Sequence, residues 1–123
     1  MLNRQQILAA SDLQSVDVPV PEWGGTVRVL MMSGTARDAL QAQVVDNKST
    51  SKFEAALIVA TVVDDNGAPL FTVDDVAALQ GKSSAALSRV SNAAMKLNRL
   101  GEKATEDAEK NSGATPSDGS GTA

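Results

Sequence analysis

The most informative stretch of the sequence for the fold is VDVPVPEWGGTVRVLMM, residues 16–32. Valines occupy every second position over 16–20, and a second alternating run covers 26–32. Alternation of this kind is typical of half-buried strands, and the Pro- and Gly-rich residues 21–25 join the two runs into an antiparallel hairpin. Proline cannot donate a hydrogen bond to a neighbouring strand, so Pro19 places the first strand at the edge of the sheet.

Start signals for four helices surround this hairpin. Each signal is a polar residue that can accept a hydrogen bond from a first-turn amide, in three cases with an acidic residue three positions later. The signals are Asn3 for residues 4–10, Thr35 with Asp38 for a helix to about 46, Ser51 with Glu54 for the run 53–63, and Thr72 with Asp75 for a helix stopped at Gly81. The run 53–63 is apolar almost all round, which predicts a buried central helix whose last residues turn to strand.

A last helix is predicted over residues 84–100, with a stripe of apolar residues along it. The stripe contains Leu87, Val90, Ala94 and Leu97, and Leu100 belongs to a flanking row. A stripe of this length is too short to indicate a coiled coil, and it is typical either of core or of a surface that binds a partner or a second copy. Trp23 poses the same alternative, because a tryptophan in a rigid turn either covers the core or anchors a partner. These six residues are the candidate partner-binding set.

The chain divides into two parts at about residue 100. Residues 1–100 are predicted to form one α+β domain, a small antiparallel hairpin packed against four or five helices. Residues 101–123 contain no large apolar side chain and cannot offset the entropy of ordering, so they are predicted to form a disordered polar tail. The valine-, leucine- and alanine-rich composition, with 2% aromatic residues, indicates a core of closely packed helices.

The composition argues against an enzyme. The sequence contains no histidine, cysteine or tyrosine, which removes the usual general base, the thiol nucleophile and the nitrogen and sulfur ligands of metals. A pair of catalytic carboxylates is the remaining enzymatic alternative, but Asp38, Glu54 and Asp75 each stand where a helix start uses them. We therefore expect neither catalytic residues nor a metal or organic cofactor.

Charge and hydropathy argue against two classes of partner, nucleic acid and membranes. The net charge is −4, and the eleven lysines and arginines are scattered rather than arranged in the basic stripe that nucleic acid requires. No stretch approaches the roughly 18 apolar residues of a membrane span. We expect no nucleic acid, no membrane, and a cytoplasmic location.

The order of these segments resembles the tail assembly chaperone family of long-tailed bacteriophages. The resemblance covers about residues 1–100 and is carried by Pro21-Glu22-Trp23-Gly24 between two strands, Asp64-Asp65-Asn66-Gly67 after the central helix, Leu70-Phe71-Thr72 before the next helix, and Leu97-Asn98 in the last one. It implies a protein that binds the tape measure protein, keeps it soluble, helps recruit subunits of the tail tube and leaves before the virion is complete.

The resemblance also implies where and in what form such a protein works. The host cytoplasm is the implied location, and this chain is similar to the short form of two products. The longer product, made by programmed ribosomal frameshifting, contacts the major tail protein. A homo-oligomer is left open, as is an alternative role as a virion structural protein, either a tail completion or a head-tail joining subunit.

Overall fold

A computed structural model describes residues 1–100, and the predicted disordered tail over 101–123 lies outside the described residues. The described part contains a three-stranded antiparallel sheet and five α-helices, which confirms the predicted α+β class. In chain order the elements are α1 (Arg4–Ala9), β1 (Ser15–Val20), β2 (Gly25–Leu30), α2 (Gly34–Val44), α3 (Thr50–Thr61), β3 (Val62–Val63), α4 (Val76–Gln80) and α5 (Ser84–Asn98), with short 3-10 turns over Pro21–Trp23 and Val73–Asp75.

The hairpin forms as the alternation predicts. Val18 pairs with Val27 and Val20 with Gly25, and β1 is an edge strand because the sheet order is β1-β2-β3. Gly24 closes the connection with φ +73°, a left-handed conformation that glycine adopts without the steric penalty of a Cβ. The prediction that the strand containing Pro19 lies at an edge is confirmed.

The third strand comes from the end of the apolar run, as the sequence predicts. Val62 and Val63 follow α3 directly and pair with Val29 and Arg28 of β2. The chain then turns over 64–67, where Asp64 Oδ1 accepts hydrogen bonds from two backbone amides, and returns alongside Val63. The two-residue strand β3 thus extends the hairpin into a three-stranded sheet at its second edge.

The core lies between the inner face of the sheet and the helices. Helix α5 packs on β1 and β2, and α3 packs against α2, α4 and α5. The fully buried side chains of α3 include Leu57 and Ile58. Alanines 55, 56, 86 and 94 of α3 and α5 are also buried, and such small side chains allow the helices to approach closely.

Two of the predicted helix starts are confirmed and two are wrong. Asn3 caps α1 in a capping box with Gln6, and Thr72 forms one with Asp75. Helix α2 is capped by Ser33 rather than by Thr35, and α3 by Ser49 rather than by Ser51.

In both corrected helices the capping serine lies two residues before the predicted one. It is the last residue in an extended conformation before the helix begins. Ser33 accepts a hydrogen bond from the Ala36 amide at 3.1 Å. Glu54 has a different role from the predicted one, because its carboxylate accepts hydrogen bonds from the hydroxyls of Ser88 (2.9 Å) and Ser91 (3.4 Å) on α5.

Candidate functional site

The stripe predicted on α5 divides between the core and the surface. Leu87, Val90 and Ala94 are at most 1% exposed and belong to the core. Leu97 and Leu100 are half-buried at the end of the helix, where a partner can reach them. The part of α5 that is available for binding is therefore its C-terminal end.

Trp23 lies in a turn that α5 holds in place. The indole is half-buried and packs against the core. Beside it, the guanidinium of Arg89 donates to both carboxylate oxygens of Glu22, at 3.3 and 3.0 Å. This hydrogen bonding keeps the pKa of Glu22 below its ordinary value, and it raises the pKa of Arg89. The turn is thus a fixed part of the domain with one side of the tryptophan covered.

The N-terminal arm, residues 1–13, exposes apolar side chains without packing them. Helix α1 has no buried residue, and Leu2, Ile7, Leu8 and Leu13 are all more than 40% exposed. A six-residue helix is marginal on its own, and the Asn3–Gln6 capping box satisfies amides only at its start. Exposed apolar residues concentrated in one segment are typical of a surface that another molecule covers.

A groove opens between the β2–α2 connection and the C-terminal end of α5. We name it the methionine groove; its apolar lining is Met31, Met32, Leu97 and Leu100, and its volume is about 280 Å³. Arg37 from the first turns of α2 stands at its rim. None of the described residues that line it is acidic.

Asn98 holds the two walls of this groove together. Its side-chain oxygen accepts a hydrogen bond from the backbone amide of Met32 at 2.8 Å, and its side-chain nitrogen donates to the carbonyl of Ala94 at 2.9 Å. Both polar ends of the amide are therefore engaged. The groove is preformed, because the loop after β2 is tied to the last turn of α5.

A larger pocket of about 410 Å³ lies on the outer face of the sheet and has a different character. Arg28 and Asp17 form an ion pair across it, with Nε and Oδ1 2.9 Å apart. The hydrogen bond from Arg28 lowers the pKa of Asp17, so this carboxylate stays ionised and is a poor general acid. Among residues 1–100 there is no group of three acidic, histidine or cysteine side chains that could hold a metal ion.

The methionine groove contains residues that the sequence does not single out. Met31, Met32 and Arg37 lie 60 or more positions away from the residues of α5 that they meet. The available signal is the methionine pair at the end of a strand, since alternation turns one of two adjacent apolar residues away from the core.

No helix of the described residues is long and apolar enough to cross a membrane.

Comparisons with known proteins bear on this arrangement. No protein-family model and no curated protein matches the sequence. Among solved structures, the chain is similar to the tail assembly chaperone of bacteriophage HK97, with a TM-score of 0.57 and 25% sequence identity. The similarity covers 76% of this chain and 90% of that chain.

The chain has the fold of a tail assembly chaperone. The resemblance that the sequence motifs indicate is thereby confirmed at the level of the family. A tail assembly chaperone implies protein partners in tail assembly, and the described residues present three candidate surfaces for them. Those surfaces are the N-terminal arm, the turn that carries Trp23, and the methionine groove.

Proposed function

We propose that this chain is a tail assembly chaperone of a long-tailed bacteriophage that binds the tape measure protein. In this role it keeps the tape measure protein soluble, helps recruit tail-tube subunits, and is absent from the mature virion. The observation that carries the proposal is the similarity to the HK97 tail assembly chaperone over 90% of that protein. The proposed place of action is the cytoplasm of the host cell.

The distribution of apolar surface supports a binding role. The N-terminal arm exposes several large apolar side chains, and the methionine groove offers an apolar cleft on the folded body. A chaperone that covers apolar surface of a client needs apolar surface of its own that is not consumed by the core. Many weak contacts of this kind along one long client add up by multivalency, so no single contact has to be tight.

The other partners follow from the same role. We propose that tube subunits, the major tail protein, are recruited mainly through a longer product that continues beyond the short form by ribosomal frameshifting. The exposed arm supports self-association of the chain as well, because it supplies apolar area outside the core. Neither an enzymatic activity nor a cofactor is part of the proposal.

Affinity purification from infected cells, combined with mass spectrometry of virions, tests this function. A tagged chain should co-purify with the tape measure protein during assembly, and its peptides should be missing from purified particles. A chain that stays in purified virions at stoichiometric levels would instead be a structural component, such as a tail completion or head-tail joining subunit.

A further inference from the structure

We propose that the methionine groove is the docking site for the client, and that it receives a large apolar side chain flanked by a carboxylate. The inference rests on the proposed function, since it names the surface through which the chaperone holds the tape measure protein. The occupant is defined by its chemistry: an amphipathic segment of the client with one or two apolar anchors and an acidic residue beside them.

The apolar anchor of the proposed occupant is inferred from the side chains that line the groove. Met31, Met32, Leu97 and Leu100 are all half-buried, so each retains surface that a bound side chain can cover. A groove of about 280 Å³ is at the lower end of the size of a ligand site and has room for an anchor rather than for a whole helix. Methionine side chains are flexible and polarisable, so the same groove can accept anchors of different shapes. That property suits a client whose successive segments differ in sequence.

The acidic residue of the proposed occupant is inferred from the basic side chain at the rim of the groove. The described residues that line the groove include Arg37 and no carboxylate. Arg37 is exposed and takes part in neither of the two ion pairs found among residues 1–100. A client carboxylate placed beside the apolar anchor would pair with this guanidinium, whereas a basic client segment would be repelled by it.

The remaining occupants fit the groove less well. Residues 101–123 begin just after Leu100 but contain no valine, leucine, isoleucine, methionine or aromatic residue, so they supply no anchor. The N-terminal arm of a second copy supplies leucines and an isoleucine, but its one carboxylate, Asp12, lies outside helix α1, which carries Ile7 and Leu8. The tail lacks an apolar anchor and the arm has a single carboxylate, so an amphipathic client segment with an acidic residue beside its anchor fits the groove better than either.

Co-expression with the tape measure protein of the same phage, followed by affinity co-purification, tests the proposal with matched variants. Leu100→Asp and Arg37→Glu should each weaken binding about tenfold or more, the scale of an interface anchor, while circular dichroism stays unchanged. Val45→Asp and Lys48→Glu are the controls, because they likewise replace an apolar and a basic side chain by an acidic one, at exposed positions away from the groove. The effect of Arg37→Glu should shrink at high salt, since the pair at the rim is screened.

Methionine methyl NMR on the full chain provides a second readout that does not depend on the variants folding. The chain contains four methionines, and only Met31 and Met32 line the groove, whereas Met1 is in the arm and Met95 packs against the core. In the complex the signals of Met31 and Met32 should move, and those of Met1 and Met95 should stay.

The outcomes separate the two proposals. If the wild-type chain fails to bind the tape measure protein, the proposed function and the groove assignment both fall. If wild type binds but the groove variants bind as well as the controls, or if only Met1 moves, the function stands and the groove is not the client site. A change in oligomeric state without loss of client binding would assign the groove to a second copy, and tighter binding after removal of 101–123 would assign it to the tail; either result overturns the proposal.

Discussion

The side chain of Asn98 spans 66 positions of sequence to accept a hydrogen bond from the backbone amide of Met32 at 2.8 Å. This contact joins the last turn of α5 to the residue that follows strand β2 by two positions. It provides an acceptor for the half-buried amide of Met32, which lies between β2 and α2 and belongs to neither. The hydrogen bond thus joins the two walls of the methionine groove.

We predict that Asn98→Ala destabilises the domain by about 1–2 kcal/mol, because the Met32 amide then loses its acceptor in a partly buried setting. Chemical denaturation measures the free energy of unfolding directly. Asn92→Ala is the control, since Asn92 lies on the exposed side of the same helix. Equal stability of the two variants would show that water replaces the Asn98 oxygen without loss.

Charges placed at Leu57 and Leu100 should destabilise the domain to very different extents. Leu57 is fully buried in α3, so Leu57→Asp leaves an unpaired charge in the core and should unfold the domain. Leu100 is half-buried at the edge of the groove, so Leu100→Asp should lower the free energy of unfolding by only about 1 kcal/mol. Circular dichroism and thermal melting of both proteins check the contrast. Unfolding by Leu100→Asp would make this residue a part of the core.

Trp23→Ala should reduce thermal stability, because the indole packs against the core as well as facing solvent. Full burial of a tryptophan is worth about 3–5 kcal/mol on truncation to alanine, so a half-buried one should lose roughly 1–3 kcal/mol. Trp23→Phe should recover part of the loss. If Trp23→Ala melts like wild type but no longer co-purifies with the client, the indole serves as a partner anchor rather than as core.

Acid should weaken the contact between the turn and α5. Arg89 lowers the pKa of Glu22 in the folded state, so this pair contributes stability above the ordinary pKa of a glutamate, about 4.3, and loses it as the pH falls through the lowered folded value. Melting temperatures of wild type and Glu22→Gln should therefore converge as the pH is lowered. Asp12→Asn, an exposed change outside both ion pairs, should leave the pH profile of wild type in place. Parallel profiles of wild type and Glu22→Gln would contradict this role for the pair.

The sequence predicts the parts of the fold that depend on neighbours along the chain. Alternation over residues 16–32 is sufficient for the hairpin and its edge strand, and Asn3 and Thr72 are identified as caps by their own local patterns. The pattern fails at Ser51 with Glu54, where Ser49 is the cap. The reason is tertiary, because Glu54 accepts hydrogen bonds from serines more than 30 residues later in the chain.

Local sequence patterns also fail to identify the candidate binding surfaces. Helical spacing identifies the stripe on α5 but does not tell which of its members the sheet covers, and Leu87 and Val90 prove to be core while Leu97 remains accessible. The methionine groove is built from two segments far apart in sequence, so no local pattern indicates it. The exposure of the arm depends on the absence of packing against α1, which also follows only from the tertiary structure.

The proposed chaperone keeps an apolar client in solution, and the soluble fraction of the tape measure protein reports this activity. The tape measure protein of the same phage is expressed alone, with the wild-type chain, and with Leu57→Asp, which should not fold. We expect the wild-type chain to move most of the tape measure protein from the pellet to the supernatant, in a complex that survives size-exclusion chromatography. We expect Leu57→Asp not to do so. A tape measure protein that stays equally insoluble with the folded chain present would show that the chain is not its chaperone.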